Sequence, residues 1–264
     1  MPIGSMSIKL NEVKIKNLID IALDEDLGKD RLDATTQALI DDNIKITAFI
    51  TARQDCRVAG SCIVEQVFKT INSGIEIDYH HKDGDDINAG TSILKIRGSA
   101  SSILIGERVA LNILQRMSGI ASLTNQFKKA SKRSDLLILD TRKTTPGLRI
   151  IEKAAVEIGG GVNHRMGLYD SILIKDNHLS ICRNYNQKSI QDVVVSAKRL
   201  FPHLKLQIEV DTIEQLRSAV EVHPDWVLLD NMNIQDLLNS VSICKGICKT
   251  EASGNINLDS IESI

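Results

Sequence analysis

The sequence predicts an α/β protein in two parts, a small β-rich domain over residues 1–105 and a β/α barrel over residues 106–264. Glycine-bounded segments rich in β-branched residues fill the first part. Beyond about residue 106, nearly all-apolar segments alternate with helical patterns, which is typical of a parallel sheet covered by helices. A long amphipathic helical pattern marks the change from one part to the other.

The first part begins with a helical pattern that stops at the turn-like Gly28-Lys29-Asp30. Its apolar residues repeat at helical spacing: Ile15, Leu18, Ile19, Ala22 and Leu23. The segment ITAFITAR (46–53) is β-branched and mostly apolar, so it predicts a strand. Residues 74–98 predict short strands joined by tight turns at Asp83-Gly84 and Ala89-Gly90.

The second part begins with a helix predicted over residues 106–131, whose apolar side carries Val109, Ile113, Leu114 and Met117. Four apolar segments then predict parallel strands: LLILD (136–140), SILIKD (171–176), LQIEVD (206–211) and WVLLDN (226–231). No glycine-rich GxGxxG turn follows any of them, as it would in many doubly wound sheets. We therefore favour a barrel.

Helix starts between these strands are marked by capping patterns. Ser189-x-x-Asp192 and Thr212-x-x-Gln215 have the spacing of a capping box, and Asn233-x-x-Asp236 predicts a third helix start. The run Gly159-Gly160-Gly161 follows a helical pattern over residues 149–158, and we interpret it as the end of that helix rather than as a phosphate loop. His178 is interpreted as an ordinary residue near a helix start.

The composition excludes several classes of protein. A net charge of −2, a pI of about 6.3 and 3% aromatic residues argue against nucleic-acid binding. No apolar run is long enough to span a bilayer, and the first residues lack a signal-peptide pattern. Five cysteines, an odd number without a CxxC pair, predict reduced thiols in a cytoplasmic protein. Cys244 and Cys248 lack the further ligands of a zinc site.

Charged residues close every predicted strand of the second part. They are Asp140, Lys175 with Asp176, Glu209 with Asp211, and Asp230. In a β/α barrel these carboxyl ends converge on the face that carries the active site. Arg142, Lys143, His164 and Arg165 flank the same ends. One such residue alone is most simply structural, but their joint occurrence predicts a polyanionic ligand, because Arg and Lys bind carboxylates and phosphates.

The carboxylates of Glu209 and Asp230 leave several roles open. They could hold Mg²⁺ through water, bind ribose hydroxyls, or stabilise positive charge at an oxocarbenium-like centre. The segment EASGN (251–255) offers small residues whose backbone N–H groups can approach a phosphate.

Long motifs make the sequence similar to one family. GERVALN (106–112), LDTRKTTPGLR (139–149), EKAAVEIGGGVNHRMGLYDSILIKDNH (152–178), IEVD (208–211), LLDN (228–231) and EASGN (251–255) closely resemble quinolinate phosphoribosyltransferase, the carboxylating nicotinate-nucleotide pyrophosphorylase. The resemblance covers most of the chain, from ALDEDLGKDRLDAT onward. It implies an N-terminal α/β sandwich domain followed by an incomplete β/α barrel. It also implies Mg²⁺-assisted phosphoribosyl transfer from phosphoribosyl pyrophosphate to quinolinate, with loss of CO₂, in NAD biosynthesis.

The resemblance also implies the site residues. Those around quinolinate are Arg142, His164, Arg165 and Lys175, with Arg108 donated by the neighbouring subunit of a homodimer or larger homo-oligomer. Thr141 is expected to contact substrate, and Lys143 to lie toward the pyrophosphate. Glu209 and Asp230 correspond to the ribose and Mg²⁺ carboxylates, and Lys143, Glu209 and Asp230 are the expected catalytic residues. Ser253, Gly254 and Asn255 are expected at the 5′-phosphate.

One departure and three alternatives accompany this hypothesis. Members of the family continue with a further strand, a phosphate loop and a tail, which we expect the sequence ending at Ile264 to lack. The alternatives are a related phosphoribosyltransferase that acts on another base without decarboxylation, a non-catalytic phosphate-binding barrel, and a Schiff-base aldolase with Lys175 as nucleophile.

Overall fold

A computed structural model describes residues 11–264, which form two compact units. The N-terminal unit contains residues 11–128 and Leu136–Asn163; the C-terminal unit contains Lys129–Asp135 and His164–Ile264. The first ten residues of the predicted N-terminal domain lie outside the described part. The predicted domain boundary between residues 105 and 106 falls inside a continuous helix. The division of the chain at this boundary stays a prediction.

In its described residues, the N-terminal unit contains eight helices and strands before its longest helix and one helix after it. In chain order these elements are α1 (Glu12–Leu27), α2 (Ala34–Leu39), β1 (Lys45–Thr51), β2 (Cys56–Arg57), α3 (Ser61–Ile71), β3 (Glu76–Tyr79), β4 (Asp86–Ile87), β5 (Ser92–Ser99), α4 (Ala100–Ala130) and α5 (Arg149–Ile158). An antiparallel sheet has the order β1-β5-β3, and β2 pairs with β4. Helices beside an antiparallel sheet confirm the α/β sandwich class.

The core of this unit is formed by the predicted apolar stripes. Helix α1 begins at Glu12, directly after Asn11, whose side chain caps it, and buries Ile15, Ile19 and Leu23 before it ends at Leu27, with Gly28 as its C-terminal cap. These side chains share one hydrophobic cluster with apolar residues of α3, α4, α5 and β5. Each fully buried aliphatic or aromatic side chain contributes about 1.5–3 kcal/mol through loss of contact with water.

A close helix contact fixes the position of α4 in this core. Gly106 lies against Phe68 and Ile71 of α3, and a Cβ atom at this glycine would come within 2.9 Å of both side chains. Only a residue without a side chain therefore allows this separation of the two helices. Along α4, Val109, Ile113, Leu114 and Met117 are buried, as predicted.

The predicted strand over residues 136–140 is reduced to one parallel bridge between Leu139 and Val162. Two backbone hydrogen bonds hold it: Val162 N–H donates to the Ile138 carbonyl at 2.8 Å, and Asp140 N–H donates to the Val162 carbonyl at 3.3 Å. The apolar pattern was identified correctly, but the pairing is too short to form a named strand. Its partner is the segment after the three glycines.

The C-terminal unit repeats strand and helix. Its elements are β6 (Ile172–Ile174), α6 (Asp176–Asn186), α7 (Ile190–Leu200), β7 (Leu206–Val210), α8 (Ile213–Val220), β8 (Trp226–Asp230), α9 (Ile234–Cys244), β9 (Lys249–Ser253) and a final 3₁₀ turn (Ile261–Ser263). The four strands are parallel and paired in the order β6-β7-β8-β9. Consecutive order is that of a barrel, whereas a doubly wound sheet reverses its order. The incomplete β/α barrel is thereby confirmed.

The two faces of this sheet differ in polarity. Leu206, Ile208 and Val210 of β7 pack with residues of α8 and with Val227 and Leu229 of β8 in one apolar cluster. Residues on the opposite face are arranged in layers by the register: Gln207 is level with Trp226 and Lys249, while Glu209 is level with Leu228 and Glu251. Asp230 and Ser253 form the layer nearest the carboxyl ends. The polar face of the sheet therefore carries the predicted site residues of β7, β8 and β9.

Candidate active site

The carboxyl ends of the four parallel strands hold an open ion pair. Lys175 follows β6 directly and its Nζ lies 2.7 Å from Glu209 Oε2 on β7. The lysine side chain is 44% exposed and the carboxylate 14%. Lys175 is held in place by its backbone N–H, which donates to His178 Nδ1 at 3.0 Å in the first turn of α6. His178 therefore has the local role that was predicted for it.

Asp230 ends β8 in a second polar group. Asn231 donates from Nδ2 to Asp230 Oδ2 at 2.8 Å, and Asn255 donates from Nδ2 to Asn231 Oδ1 at 3.2 Å. The backbone N–H of Asn231 donates to the Ser253 carbonyl at 2.9 Å. Gly254 has a φ of +94°, and a Cβ there would lie 2.1 Å from Asn231 Oδ1. Glycine is therefore required where the chain leaves β9.

His164 occupies a more enclosed position in the same unit. Its Nε2 lies 2.9 Å from Gln207 Oε1 and 3.6 Å from Glu251 Oε2, while its Nδ1 accepts from the Arg165 N–H at 2.7 Å. Burial lowers the pKa of His164, but the hydrogen bond and negative charge of Glu251 outweigh burial, so that the pKa is raised above its usual value.

Arg165 lies in a constrained loop between His164 and β6. Its Nη1 donates to the Ser171 carbonyl at 3.2 Å, and the residue is 7% exposed. Asp170 folds back to accept from the N–H groups of Met166 and Gly167, at 2.6 and 3.3 Å. A planar guanidinium in such a fixed loop is suited to a planar anion, because little side-chain freedom is lost on binding.

Two further predicted cations, Arg142 and Lys143, lie in the N-terminal unit, in the turn after residue 140. Lys143 is exposed and its N–H donates to Thr141 Oγ1 at 3.0 Å. Arg142 Nε is buried and has no hydrogen-bond partner within residues 11–264. Since buried polar groups are almost always paired, this nitrogen is a candidate contact for an anionic ligand. Arg149 supports the turn by donating to Thr144 Oγ1 at 3.0 Å and to the Arg142 carbonyl at 3.3 Å.

A buried ion pair stands behind this turn. Lys153 Nζ contacts Asp140 Oδ1, and their side chains are 1% and 6% exposed. Asn163, with its amide nitrogen toward Asp140, donates to Asp140 Oδ2 and to the Lys153 carbonyl. Next to it, Arg116 pairs with Glu152, whose Oε2 accepts from the Thr145 N–H at 3.3 Å. These polar contacts fix the backbone that carries Thr141, Arg142 and Lys143.

The donor set suits a metal ion that keeps most of its water. Glu209 and Asp230 project from the same face near the same strand ends. Across the described chain, His, Cys, Asp and Glu nowhere form a group of three or more that could hold a metal. Two carboxylates fit Mg²⁺, which usually takes one or two of them together with water and substrate phosphates. Cys244 and Cys248 do not suit a metal, because burial and the neighbouring Cys244 sulfur raise the pKa of Cys248 to about 12.

Comparison with protein families decides the affiliation. Residues 33–118 match the N-terminal domain model of quinolinate phosphoribosyl transferase, and residues 120–264 match its C-terminal domain model. The chain belongs to the quinolinate phosphoribosyltransferase family. The resemblance predicted from the sequence motifs is thereby confirmed.

Curated relatives and solved structures of quinolinate phosphoribosyltransferases agree with this affiliation. A probable nicotinate-nucleotide pyrophosphorylase [carboxylating] of Bacillus subtilis is 37% identical, covering 96% of this chain and 85% of that protein. A chloroplastic Arabidopsis thaliana relative of the same name is 36% identical over 95% of this chain and 75% of its own. The nicotinate-nucleotide pyrophosphorylase structure from Francisella tularensis matches with a TM-score of 0.89 at 34% identity, covering 98% and 90% of the two chains.

The predicted site residues of this quinolinate phosphoribosyltransferase divide between the two units. His164, Arg165, Lys175, Glu209, Asp230, Ser253, Gly254 and Asn255 lie in the C-terminal unit, and Arg108, Thr141, Arg142 and Lys143 lie in the N-terminal unit. Within the first group, Lys175 contacts Glu209, and Ser253 and Asn255 contact Asn231 beside Asp230. Arg108 is exposed on α4.

Sequence reasoning missed the polar residues that support this site. Gln207 and Glu251 were not singled out, although they alternate with apolar residues on their strands and so share the face of Glu209 and Ser253. Lys153 and Asn163 were also missed, because their partners are distant in sequence and a lysine in a helix is usually exposed. The alternation of longer polar side chains with smaller ones along β9 was the one sequence signal that could have indicated Glu251.

Proposed function

We propose that the protein transfers the phosphoribosyl group of phosphoribosyl pyrophosphate to the ring nitrogen of quinolinate and releases pyrophosphate and CO₂. The product is nicotinate mononucleotide. The observation that carries this proposal is the open pair of Lys175 and Glu209 beside Asp230 at the parallel strand ends, in a chain of this family. Such a site offers positive charge to acids and negative charge to a cationic ribosyl centre.

In the first step, the quinolinate nitrogen uses its lone pair to form a bond with ribose C1′ while the bond from C1′ to pyrophosphate breaks. Positive charge develops on the sugar, and Glu209 and Asp230 stabilise it. Lys143 neutralises the departing pyrophosphate. The nucleophile carries no proton at this nitrogen, so no general base is required.

In the second step, the bond from the ring to the adjacent carboxylate breaks and CO₂ leaves. The electron pair stays on the ring carbon, where the neighbouring positively charged nitrogen stabilises it, and a proton then takes the place of the carboxylate. Arg142, Arg165 and Lys175 are proposed to hold the two carboxylates, with His164 beside them. Their contribution is orientation, which makes the reaction of two bound substrates effectively unimolecular.

Three further sets of residues complete the proposed site. Glu209 and Asp230 are proposed to hold Mg²⁺ through water; when bound, the ion would neutralise the pyrophosphate oxygens of the donor. Ser253, Gly254 and Asn255 are proposed to bind the 5′-phosphate, since the glycine leaves backbone N–H groups accessible. Thr141 is proposed to contact substrate through its hydroxyl.

A direct assay tests the reaction. The protein is incubated with phosphoribosyl pyrophosphate, Mg²⁺ and quinolinate labelled with ¹³C in the carboxylate next to nitrogen, and NMR follows labelled CO₂ and the mononucleotide. We expect both products in equal amounts. A parallel incubation with nicotinate tests the alternative of a base that is not decarboxylated. Mononucleotide from nicotinate alone would contradict the proposal, and so would binding of both substrates without either product.

The aldolase alternative is disfavoured by the geometry of Lys175. A Schiff-base nucleophile must be a neutral amine, whereas this ammonium lies 2.7 Å from a carboxylate. Borohydride in the presence of a carbonyl substrate should leave the protein without a covalent adduct. An adduct at Lys175 would revive the alternative, and a barrel that only binds phosphates would give neither an adduct nor turnover.

We propose a homodimer or larger homo-oligomer in which Arg108 serves the neighbouring subunit's site, as the family resemblance implies. Arg108 is exposed on a helix whose other side is buried. Arg108→Ala chains and Lys175→Ala chains should each be inactive. After subunit exchange of an equal mixture, up to about a quarter of wild-type sites should be restored, because about half of the dimers are heterodimers and two-fold symmetry gives each heterodimer one intact site of two. Demonstrated exchange without recovered activity would contradict donation in trans.

We also propose that the protein acts in the cytoplasm. All five cysteines, which lie within residues 11–264, are unpaired, and reduced thiols are typical of that compartment. No helix in the described residues is long and apolar enough to cross a membrane. Fractionation should recover the protein with cytoplasmic markers.

A further inference from the structure

A third carboxylate lies on the polar face of the sheet, one layer below Asp230 and Ser253. Glu251 is level with Leu228 in the strand register, and its side chain is 15% exposed. A negative charge in a site for polyanionic substrates opposes their binding unless a neighbouring group compensates it. The contacts of Glu251 show which groups compensate its charge.

Glu251 begins a hydrogen-bond chain with a defined direction. A carboxylate can only accept, and Gln207 Nε2 donates to Glu251 Oε2 at 2.7 Å. This contact orients the amide of Gln207 so that its Oε1 faces His164 Nε2 at 2.9 Å. Because an amide oxygen also only accepts, His164 must carry its proton on Nε2.

The chain ends at the backbone of Arg165. With a proton on Nε2, neutral His164 has one acceptor left, Nδ1, which accepts from the Arg165 N–H at 2.7 Å. The ring is thus tied to a strand on one side and to the start of the Arg165 loop on the other. Arg165 is itself buried and donates to the Ser171 carbonyl, so the loop is held at both ends.

We propose that Glu251 is a positioning residue: through Gln207 it holds the His164 ring in the Nε2–H tautomer and thereby fixes the loop that presents Arg165 to the substrate. This inference rests on the proposed function, in which Arg165 holds a quinolinate carboxylate. It gives the partly buried Glu251 carboxylate a role in the site without contact with the substrate. His164 acts through the same loop.

The charges that face His164 add a dependence on pH. Glu251 from β9 and the neighbouring Arg165 are the charged groups that affect it, and the pKa of His164 is raised: burial lowers it, but the contact with Glu251 prevails. As the pH falls through this pKa, the second proton enters Nδ1, since Nε2 already carries one. The hydrogen bond from Arg165 N–H is then lost, so the KM for quinolinate should rise on the acid side.

Two substitutions separate the hydrogen bond from the charge. Glu251→Gln keeps an acceptor oxygen but removes the charge, while Glu251→Leu removes both. Glu221→Gln, at an exposed position of the same unit, is the matched control. The measurements are the ¹⁵N chemical shifts of the His164 ring, assigned by comparison with His164→Gln, and the kinetics with quinolinate as the varied substrate.

We expect the Nε2–H tautomer above the His164 pKa in the parent protein, in the control and in Glu251→Gln, with a lower pKa in the last. Glu251→Leu should lose the tautomer preference and raise the KM for quinolinate about tenfold, the size of one buried hydrogen bond to a charged group. The kcat of Glu251→Leu should stay within about threefold of the parent value, because Glu251 does not contact the reacting atoms. Gln207→Met interrupts the chain in the middle and should reproduce this result, even where Glu251→Leu does not fold.

Three results would overturn the proposal: an Nδ1–H tautomer in the parent protein, an unchanged tautomer and KM in Glu251→Leu, or an unchanged KM in Gln207→Met. Failure of the proposed function is distinguishable, because it abolishes turnover in the parent protein while the ring shifts still report the hydrogen-bond chain. Normal parent turnover with an unchanged Gln207→Met variant rejects the positioning role alone.

Discussion

Two ion pairs of this protein follow the same local pattern, an apolar segment that ends in a charged residue, and yet differ in their surroundings. Asp140 and Lys153 of the N-terminal unit are 6% and 1% exposed and share Asn163 as a further partner. Lys175 and Glu209 of the C-terminal unit are 44% and 14% exposed. The first pair is enclosed by protein, whereas the second faces solvent at the strand ends.

The difference indicates which pair a ligand can use. An enclosed pair has already lost its water, so breaking it leaves an uncompensated charge in a medium of low polarity. An open pair is stabilised weakly and can exchange its partner for a substrate or a metal ion at little cost. We therefore assign the enclosed pair to the support of the turn with Arg142 and Lys143, and the open pair to the reaction.

The largest effect is expected from breaking the enclosed pair. Lys153→Met should lower the free energy of unfolding by about 3–5 kcal/mol, because Asp140 stays buried without its cation. Chemical denaturation measures the change. The double variant Asp140→Asn/Lys153→Met should recover more than half of it, since no buried charge remains. A loss below about 1 kcal/mol in the single variant would show that water reaches the pair.

The second prediction concerns Lys143, three residues after Asp140 but exposed. Lys143→Ala should lower kcat about a hundredfold or more, as expected when a fixed charge on the leaving group is lost, with a smaller change in quinolinate affinity. Its free energy of unfolding should stay within about 0.5 kcal/mol of the parent value. Steady-state kinetics and denaturation test both parts. Parent-like turnover by a folded variant would remove Lys143 from the site.

The open pair should affect activity more than stability. Glu209→Gln should reduce kcat/KM about tenfold and raise the Mg²⁺ concentration needed for half-maximal activity, because one of two proposed metal carboxylates is lost. The free energy of unfolding should change by less than about 1 kcal/mol, since water replaces Glu209 as the partner of Lys175. Activity is measured over a Mg²⁺ titration. An unchanged Mg²⁺ dependence would contradict the metal assignment of Glu209.

The smallest effect is expected from a fully solvated pair. Lys132 Nζ lies 2.7 Å from Glu262, and their side chains are 67% and 56% exposed. Lys132→Ala should change the free energy of unfolding by about 0.5 kcal/mol or less, and less still at high salt, because water and ions screen the charges. Thermal unfolding at two salt concentrations measures this. A loss of unfolding free energy comparable to that of Lys153→Met would mean that the exposure of an ion pair does not determine its contribution to stability.

The sequence was sufficient to predict features that depend on local patterns. Apolar periodicity identified β7 and β8 and the buried side of α4, and the cap at Ser189 is present with its reciprocal contacts to Asp192. Charged residues at strand ends identified Lys175, Glu209 and Asp230 before any geometry was known, because parallel strands bring their carboxyl ends to one edge.

Features that depend on distant partners were not predicted. The strand β9, KTEAS, carries Lys249, Glu251 and Ser253 on its polar face, and this pattern lacks the apolar run used to recognise the other strands. Gln207 and Glu251 are 44 residues apart, and Lys153 is 13 residues from Asp140. Hydrophobic periodicity says nothing about such pairs, because their stability depends on three-dimensional enclosure.

The close contact at Gly106 has a consequence for the proposed donation of Arg108. Helix α4 contains 31 residues, so it is about 46 Å long and behaves as a nearly rigid rod. Gly106 fixes the position of α4 along its axis, because a shift by one residue would place the side chain of Ile105 or Glu107 in the space beside Phe68 and Ile71. Arg108 lies two residues after this glycine. The position of Arg108 along α4 is thus fixed by contact of the α4 backbone with the side chains of Phe68 and Ile71. It does not depend on the conformation of a loop.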